Sequence, residues 1–348
     1  MNTKELIKKL IEKYPDSQIQ DICKALCQST MGSGHFIEDI SSCAERIQSE
    51  YKNMKNNEDD SILDLGEEYV RAPVSFLKKG LSSDSLAKMF ALSVAKDNYG
   101  VLRLEKDLDE FILLCKEENC FPSEEVKKFI FEWKQQGYPS LHHSEIYRKT
   151  YSPAYRLVRK DMLPWLPAVI RIDQLRKEKK KITVAIDGHC GSGKTTCGVF
   201  LHKLYDSNLI HVDDFYLQKH QRTKQRYAQP GGNFDRERLE EEVLIPCRQN
   251  KDINYHWFDC YTLTLQDMIH LPAKEITVIE GSYSMYPSLR SYYDLSIFID
   301  IDPAKQLQRI TKRNPDNYQD FVEKWIPFEN MYFDADNVKE ACDIVICT

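Results

Sequence analysis

The sequence of 348 residues lacks the features of a secreted or membrane protein. No apolar run approaches the roughly 20 residues that a membrane-spanning helix needs, and no secretory leader follows Met1. The 11 cysteines are scattered, and no two of them form a C-x-x-C pair. Unpaired thiols are typical of a reducing compartment. We therefore expect a soluble, cytoplasmic protein without a membrane partner.

The sequence also has no excess of basic residues. Lys and Arg number 48 against 54 Asp and Glu, which gives a net charge of −6 and an isoelectric point near 5.9. A general nucleic-acid-binding protein usually presents a basic face, so we expect no nucleic-acid partner. The net charge does not distinguish a monomer from a homo-oligomer, and both stay as alternatives.

A complete set of zinc ligands is missing as well. Cys23 and Cys27 stand four residues apart in an apolar helical pattern, which predicts two buried core thiols. His35 and Cys43 are candidates for two zinc ligands, but a zinc site would need a second pair at a suitable spacing. The sequence therefore offers only an incomplete zinc site.

The chain is long enough for two domains, and its pattern changes near residue 170. Apolar residues before that point recur at helical spacing. After it, helical patterns separate short β-branched runs, at 182–186, 208–212, 276–279, 295–301 and 343–347. Such alternation is typical of a mostly parallel sheet with helices on both faces. The sequence thus predicts a mainly α-helical domain over residues 1–170 and an α/β domain over residues 171–348.

One motif in the second domain carries a specific chemistry. It matches the pattern G-x-x-x-x-G-K-S/T and lies between a predicted strand and a predicted helix. Its residues are Gly188, His189, Cys190, Gly191, Ser192, Gly193, Lys194 and Thr195, followed by Thr196. In such a P-loop the backbone N–H groups and the helix N-terminus surround phosphate oxygens. We expect Lys194 to reach the β- and γ-phosphates of a nucleotide and Thr195 to ligate Mg²⁺.

Carboxylates follow two further predicted strands. Asp213 and Asp214 come after the second strand, where the strands of an open α/β sheet face the ligand crevice. One of them is expected to orient or deprotonate an attacking hydroxyl, and the alternative is a cap on the following turn. Glu280 ends the apolar run that starts at Ile276, which is the position of a Walker B carboxylate that holds Mg²⁺ directly or through water.

Two arginines lie four residues apart on a later predicted helix. Arg309 and Arg313 therefore share one helical face. On a mobile lid they would close over the phosphates and neutralise the charge that develops during transfer. The alternative is a solvated basic face.

These landmarks occur in the order found in a known superfamily. From about Lys181 to Thr348 the chain resembles the P-loop superfamily of uridine kinase, phosphoribulokinase and pantothenate kinase, and uridine kinase in particular. The resemblance is carried by the P-loop ending in Gly193-Lys194-Thr195-Thr196, by Asp213-Asp214-Phe215-Tyr216, by Asn233-Phe234-Asp235, by Ile279-Glu280-Gly281 and by the Arg309/Arg313 pair. It implies an α/β P-loop kinase domain that uses ATP and Mg²⁺.

The resemblance also implies roles for individual residues. Asp213 is implied as the base and as a neighbour of Mg²⁺, while Asp214 replaces a serine of the family motif and is assigned with Tyr216 to the substrate. Asp235 is implied to hold ribose hydroxyls, or else it caps the following helix. Tyr255 is implied to lie near the base of the substrate. The chain lacks the family's Thr-His-x-Arg stretch after that tyrosine, so it departs from the pyrimidine-binding pattern.

The helical domain resembles the N-terminal extension of certain bacterial uridine-kinase-like proteins. Two of its segments are chemically distinctive. The turn from Met31 to His35 is rich in glycine, which suits a tight loop or an anion site. The segment from His142 to Arg156 concentrates histidine, tyrosine and arginine, which suits a polar substrate or a domain interface.

The sequence as a whole therefore indicates ATP- and Mg²⁺-dependent phosphoryl transfer to a hydroxyl of a small metabolite. A nucleoside is the leading acceptor, and pantothenate-like, sugar or glycerate acceptors are alternatives. A second class of function stays open, in which ATP occupancy gates a non-catalytic binding module. The choice between ATP and GTP as donor is open too.

Overall fold

The computed structural model describes residues 1–32, 39–54, 61–66, 68–94 and 100–348. The predictions made for Ser33, Gly34 and His35 lie outside these residues. The chain divides into two compact units, Met1–Leu163 and Pro164–Thr348, where the sequence predicts a boundary near residue 170.

The first unit is mainly helical. α1 begins with a capping box, in which Asn2 and Glu5 exchange side-chain and backbone hydrogen bonds. The helices pack around a core that includes Leu6, Leu26, Leu108 and Phe111, which are nearly inaccessible to solvent. Their bounds are α1 Thr3–Lys13, α2 Ile19–Met31, α3 Ile40–Asn53, α4 Ser83–Leu92, α5 Gly100–Glu118, α6 Ser123–Gln135 and α7 Glu145–Tyr151.

A small antiparallel sheet in this unit was not predicted from the sequence. Its strands are β1 Leu63–Asp64, β2 Tyr69–Pro73 and β3 Tyr155–Arg159, in the order β1-β2-β3. The strands β2 and β3 are more than 80 residues apart in the chain, and β2 is buried along its whole length. A short, fully buried strand shows no alternation, so periodicity alone could not reveal it.

The second unit is built on a parallel five-stranded sheet in the order β10-β9-β4-β8-β5. Each strand corresponds to a β-branched run predicted from the sequence. Their bounds are β4 Ile182–Gly188, β5 Asn208–His211, β8 Ile276–Glu280, β9 Leu295–Asp300 and β10 Ile344–Cys347. An antiparallel hairpin of β6 Ile253–Asp259 and β7 Thr264–Leu271 forms a separate two-stranded sheet.

Helices cover both faces of the parallel sheet. On one face, a Cβ at Gly198 of α9 would lie 3.0 Å from Leu209 and 3.1 Å from Glu280. Ile210 and Ile279 point to the opposite face, because successive side chains of a strand alternate. There they share a core with helical residues that include Val243 and Phe333. The predicted α/β fold, a mostly parallel sheet with helices on both faces and a P-loop after its first strand, preceded by a mainly helical domain, is confirmed.

The remaining helices of this unit are α8 Leu166–Leu175, α9 Lys194–Tyr205, α10 Lys224–Tyr227, α11 Arg236–Leu239, α12 Ile245–Arg248, α13 Pro303–Arg313, α14 Tyr318–Asp320 and α15 Ile326–Asp336. A π-helical turn, Glu240–Leu244, joins α11 to α12, and another, Phe321–Trp325, joins α14 to α15. In the part of the chain that the structure describes, no helix has the length and apolar character needed to cross a membrane.

Candidate active site

The P-loop connects β4 directly to α9, as the motif requires. Gly188 ends β4 with a φ of 138°, and a Cβ at this position would lie 2.2 Å from the carbonyl oxygen of Ile299 on β9. Only glycine tolerates both the backbone conformation and this close approach. The loop can therefore curl back immediately after the strand, with its N–H groups preceding the helix N-terminus.

Two side chains at the start of α9 have the positions expected of a phosphate site. The Lys194 ammonium group donates to the carbonyl oxygens of Gly188 (2.7 Å) and His189 (3.0 Å), so it lies across the loop. Thr195 and Thr196 follow with exposed side chains. The Thr195 hydroxyl donates to the Glu280 carboxylate at 3.1 and 3.2 Å. The structure thus brings Thr195 and Glu280, each predicted separately to hold Mg²⁺, within hydrogen-bond distance of each other.

A histidine that the sequence motifs did not single out also contacts Glu280. The Nδ1 atom of His211, at the end of β5, lies 2.5 Å from Oε1 of Glu280. This hydrogen bond raises the pKa of His211 above its ordinary value. Gly281 permits the contact between these chain segments, because a Cβ there would lie 2.6 Å from Cβ of Val212. The position of His211 beside two aspartates at a strand end was the available sequence signal.

Asp213 lies next along the chain, in the turn of 3₁₀ helix Val212–Phe215. Its side chain is exposed, and its Oδ1 accepts a hydrogen bond of 3.1 Å from the Tyr216 hydroxyl. Desolvation by the surrounding protein, followed by the negative charge of Glu280, raises the pKa of Asp213. A carboxylate with a raised pKa and an open side is suited to accept a proton from a substrate hydroxyl.

Asp214 has a different environment from Asp213. The Tyr255 hydroxyl donates to Oδ2 of Asp214 at 3.1 Å, and Arg238 donates to the Asp214 backbone carbonyl. Burial raises the pKa of Asp214. Tyr255 is itself buried, and its ring stacks on Phe215 at a centroid distance of 5.1 Å. Tyr255 therefore supports the Asp213–Asp214 turn, and a direct contact with substrate stays a prediction.

Asp235 serves as a cap in this structure. Its side chain is 2% exposed, and Oδ1 accepts from the backbone N–H of Arg238 at 3.3 Å, which makes Asp235 the N-cap of α11. Oδ2 accepts from the Gln221 amide at 2.9 Å. The structure thus shows Asp235 in the capping role, one of the two alternatives given for it. A role in holding substrate hydroxyls stays a prediction, and it would require Gln221 to give up its hydrogen bond.

The two predicted lid arginines differ in their contacts. Arg309 on α13 donates to the P-loop carbonyl oxygens of Gly191 (3.1 Å) and Ser192 (3.2 Å). Arg313, at the end of the same helix, is exposed and donates to its neighbour Asn314 at 2.8 Å. Arg309 therefore braces the loop. The expected closure of both residues over phosphates stays a prediction.

A buried carboxylate, missed by the sequence analysis, contacts the P-loop from α15. Oε2 of Glu329 accepts from the backbone N–H of Cys190 at 2.8 Å, and the Ser282 hydroxyl donates to Oε1 at 2.5 Å. Burial, with a contribution from Glu329, raises the pKa of the Cys190 thiol to about 12. No motif marks Glu329, because its proximity depends on how α15 packs.

The P-loop histidine is held between aromatic rings. The ring of His189 lies 4.7 Å from that of Phe333 and 5.6 Å from that of Phe298. Its Nε2 atom is 3.6 Å from Oδ1 of Asp300. Burial lowers the pKa of His189, which favours the neutral imidazole.

The residues present fit a nucleotide accompanied by Mg²⁺. Mg²⁺ prefers oxygen ligands and is usually held by one or two carboxylates together with phosphate oxygens and water. The Thr195 hydroxyl and the Glu280 carboxylate, with Asp213 beside them, supply oxygen donors of this kind. Among the described residues, no group of three or more His, Cys, Asp or Glu side chains forms a metal site of its own.

Comparisons with known proteins add likenesses to solved structures. No protein-family profile and no curated protein matches the sequence. A possible uridine kinase from Bacillus stearothermophilus is similar with 20% identity and a TM-score of 0.39, over 51% of this chain and 97% of that one. A candidate fructose transport system kinase from Silicibacter sp. TM1040 is similar with 17% identity and a TM-score of 0.34, over 48% of this chain and 89% of that one. Both likenesses span about half of the chain, and at these TM-scores the functional argument rests on the site residues themselves.

Proposed function

We propose that this protein transfers the γ-phosphoryl group of ATP to a hydroxyl group of a small metabolite. The observation that carries the proposal is the hydrogen bond between Thr195 and Glu280, which brings the P-loop and the end of β8 together beside Lys194. A nucleotide-binding module would not need a general base for an acceptor hydroxyl, yet the exposed carboxylate of Asp213 stands in the turn that follows the adjacent strand β5.

The reaction asks for positioning and charge stabilisation more than for covalent catalysis. The acceptor oxygen attacks the γ-phosphorus, its proton passes to Asp213, and the bond from the γ-phosphorus to the bridging oxygen breaks, which releases ADP. Lys194 stabilises the phosphates, and Arg309 holds the loop that contacts them. Thr195 and Glu280 would hold Mg²⁺, which neutralises phosphate charge when bound.

A nucleoside is the proposed acceptor, in keeping with the motif resemblance around Asn233-Phe234-Asp235. Sugars, glycerate and pantothenate-like compounds are the alternatives within the same reaction class. The rival class, an ATP-gated binding module, would need the P-loop but neither Asp213 nor an acceptor.

The deciding experiment measures ADP release from Mg²⁺-ATP with and without candidate acceptors: uridine, cytidine, adenosine, fructose, glycerate and pantothenate. We expect turnover that depends on one acceptor, with a phosphorylated product seen by mass spectrometry. Wild-type protein that binds ATP tightly but turns over no faster with any acceptor than without one would favour the binding module instead.

A further inference from the structure

A buried arginine in the helical unit contacts a neutral amide and an aromatic ring and leaves one of its N–H donor atoms without an acceptor. Arg71 lies in the centre of β2, and its side chain is 4% exposed. Its Nε atom donates to Oε1 of Gln28 at 2.9 Å, while its Nη2 atom is buried without a hydrogen-bond acceptor. In the part of the chain described, no carboxylate forms an ion pair with Arg71. An unpaired buried charge is costly, so its retention calls for an explanation.

The polar groups beside Arg71 cannot supply the missing acceptor. Asp21 accepts from Nδ1 of His143 at 2.9 Å, so the proton lies on Nδ1 and Nε2 is free to accept. Nε2 of His143 is 2.7 Å from the Tyr155 hydroxyl, which therefore donates to it. The Gln28 amide N–H₂ points to the same hydroxyl at 3.3 Å, which turns its oxygen toward Arg71. The hydrogen bonds donate in one direction, from Arg71 through Gln28, Tyr155 and His143 to Asp21, and they leave Nη2 of Arg71 as a donor without an acceptor.

Asp21 does not serve as a counter-ion of Arg71, because its two oxygens already accept hydrogen bonds from other groups. Besides His143, it accepts from the backbone N–H of Ser144 (2.9 Å), the Ser144 hydroxyl (2.6 Å) and the backbone N–H of Gln18 (2.9 Å). Although burial opposes ionisation, these hydrogen bonds lower the pKa of Asp21 to about 2. Burial lowers the pKa of His143 to about 4, so the imidazole is neutral near pH 7.

The cluster also carries a second cation. Lys24 on α2 donates to the carbonyl oxygen of Leu141 at 2.6 Å, which is a neutral partner. Burial, followed by repulsion from Arg71, lowers the pKa of Lys24. Two cations, Arg71 and Lys24, therefore lie near one carboxylate of the described residues, that of Asp21. The described part of the cluster is short of one negative charge.

A second arginine of the same sheet shows how such a charge is normally satisfied. Arg156 on β3 precedes Leu157, which pairs with Arg71, so the two arginines point to opposite faces of the sheet. Arg156 forms a bidentate ion pair with Glu50, with distances of 2.8 and 3.0 Å. On the other face of the sheet, toward α2, Gln28 contacts Arg71 as Glu50 contacts Arg156. Arg71 therefore has a neutral amide where Arg156 has a carboxylate.

We propose that Arg71 binds the carboxylate or phosphate group of a small metabolite in the helical unit. Arg71 donates Nη2 to an oxygen of this group, and Lys24 contributes its positive charge. Gln28, which accepts from Nε of Arg71, and Tyr155, whose ring lies 4.6 Å from its guanidinium, are only partly buried, so the anion would approach from their side. The site is built from residues of the helical unit alone, so it gives this unit a ligand of its own.

The test uses the full chain carrying Lys194→Ala, which weakens phosphate binding at the P-loop. Thermal unfolding is followed with inorganic phosphate or acetate as the probe, and ionic strength is matched with sodium chloride. We expect at least one anion to raise the Tm saturably, by roughly 5–10 °C at 100 times its Kd. Adding Arg71→Met should remove the rise, and Arg71→Lys should keep a smaller one, because the charge remains while the planar fork is lost.

The two arginines also make opposite predictions without any anion. Arg71→Met should leave the Tm unchanged or raise it, whereas Arg156→Met should lower it, because Glu50 then stays unpaired. A response to phosphate alone would identify a phosphate group, and a response to acetate alone would identify a carboxylate. The proposal is overturned if neither anion gives a saturable shift that depends on Arg71, or if Arg71→Met destabilises the protein as much as Arg156→Met does.

Discussion

Nδ1 of His211 lies 2.5 Å from Oε1 of Glu280, the carboxylate that also accepts the Thr195 hydroxyl. This contact links the end of β5 to the end of β8 at the edge of the sheet where the P-loop begins. Glu280 is thereby held from two sides by residues of different segments. Hydrogen-bonding partners of this kind orient a metal-binding carboxylate.

His211→Leu should therefore weaken the response of the proposed phosphoryl transfer to Mg²⁺. We expect the Mg²⁺ concentration for half-maximal activity to rise roughly 10- to 100-fold, because Glu280 loses an orienting donor. His220→Leu, at an exposed position of the same unit, is the control and should leave the Mg²⁺ titration unchanged. Equal titrations for wild type and His211→Leu would show that His211 does not position the carboxylate.

Lys194→Ala should abolish transfer and sharply weaken ATP binding. The ammonium group lies across the P-loop, where its point charge would stabilise the β- and γ-phosphates in both binding and transfer. ATP affinity can be measured by calorimetry, with Lys203→Ala on the exposed side of α9 as a matched control. Unchanged affinity and rate in Lys194→Ala would contradict the P-loop assignment.

Asp213→Asn should keep the fold and ATP affinity but lower kcat by roughly 10²- to 10⁴-fold, because an amide cannot accept the proton. Asp214→Asn should be milder, since Asp214 is already held by Tyr255. Steady-state kinetics of both variants give the comparison. If Asp214→Asn is the more damaging change, the base has been assigned to the wrong carboxylate.

Asp235→Ala should lower the free energy of unfolding by about 0.5–2 kcal/mol, because α11 loses its N-cap. Asp235→Asn keeps a side-chain oxygen for the cap and should be nearly as stable as the wild type. Urea unfolding checks both. A raised KM for the acceptor in Asp235→Asn, with stability unchanged, would instead reveal the clamp on substrate hydroxyls that the motif resemblance implies.

The buried His143 should make the helical unit less stable in mild acid. Its pKa falls from 6.5 to about 4 on folding, so below pH 6.5 the unfolded state takes up a proton that the folded state does not. Stability should therefore fall as the pH drops from 6.5 toward 4. Between pH 7.5 and pH 5 the wild type should lose about 2 kcal/mol more than His143→Gln, which does not titrate.

Urea unfolding at the two pH values measures this difference. Asp21 should not contribute in the same window. Its pKa falls from 3.8 to about 2 on folding, so its stabilising effect is lost only as the pH falls below 3.8. Equal acid sensitivity of wild type and His143→Gln would mean that His143 is not held neutral in the fold.

The fold of the second unit could be predicted from the sequence because its signals are local. A β-branched run followed by G-x-x-x-x-G-K-T predicts β4, the P-loop and α9 without further information. Glu280 and Asp213 were found for the same reason, since each directly follows an apolar strand and parallel strands end at a common edge. The strand–helix alternation then determined the parallel sheet.

Only the tertiary structure decided which side chains meet across segments. His211 reaches Glu280, and Glu329 reaches Cys190, through the packing of elements far apart in sequence. Asp235 has the same sequence neighbours whether it caps α11 or faces a substrate, and only the structure shows that its side chain is buried and accepts from the backbone N–H of Arg238. The burial of Arg71 with its Nη2 donor unsatisfied likewise depends on the pairing of β2 with β3, which are more than 80 residues apart in the chain. No local sequence pattern predicts that pairing.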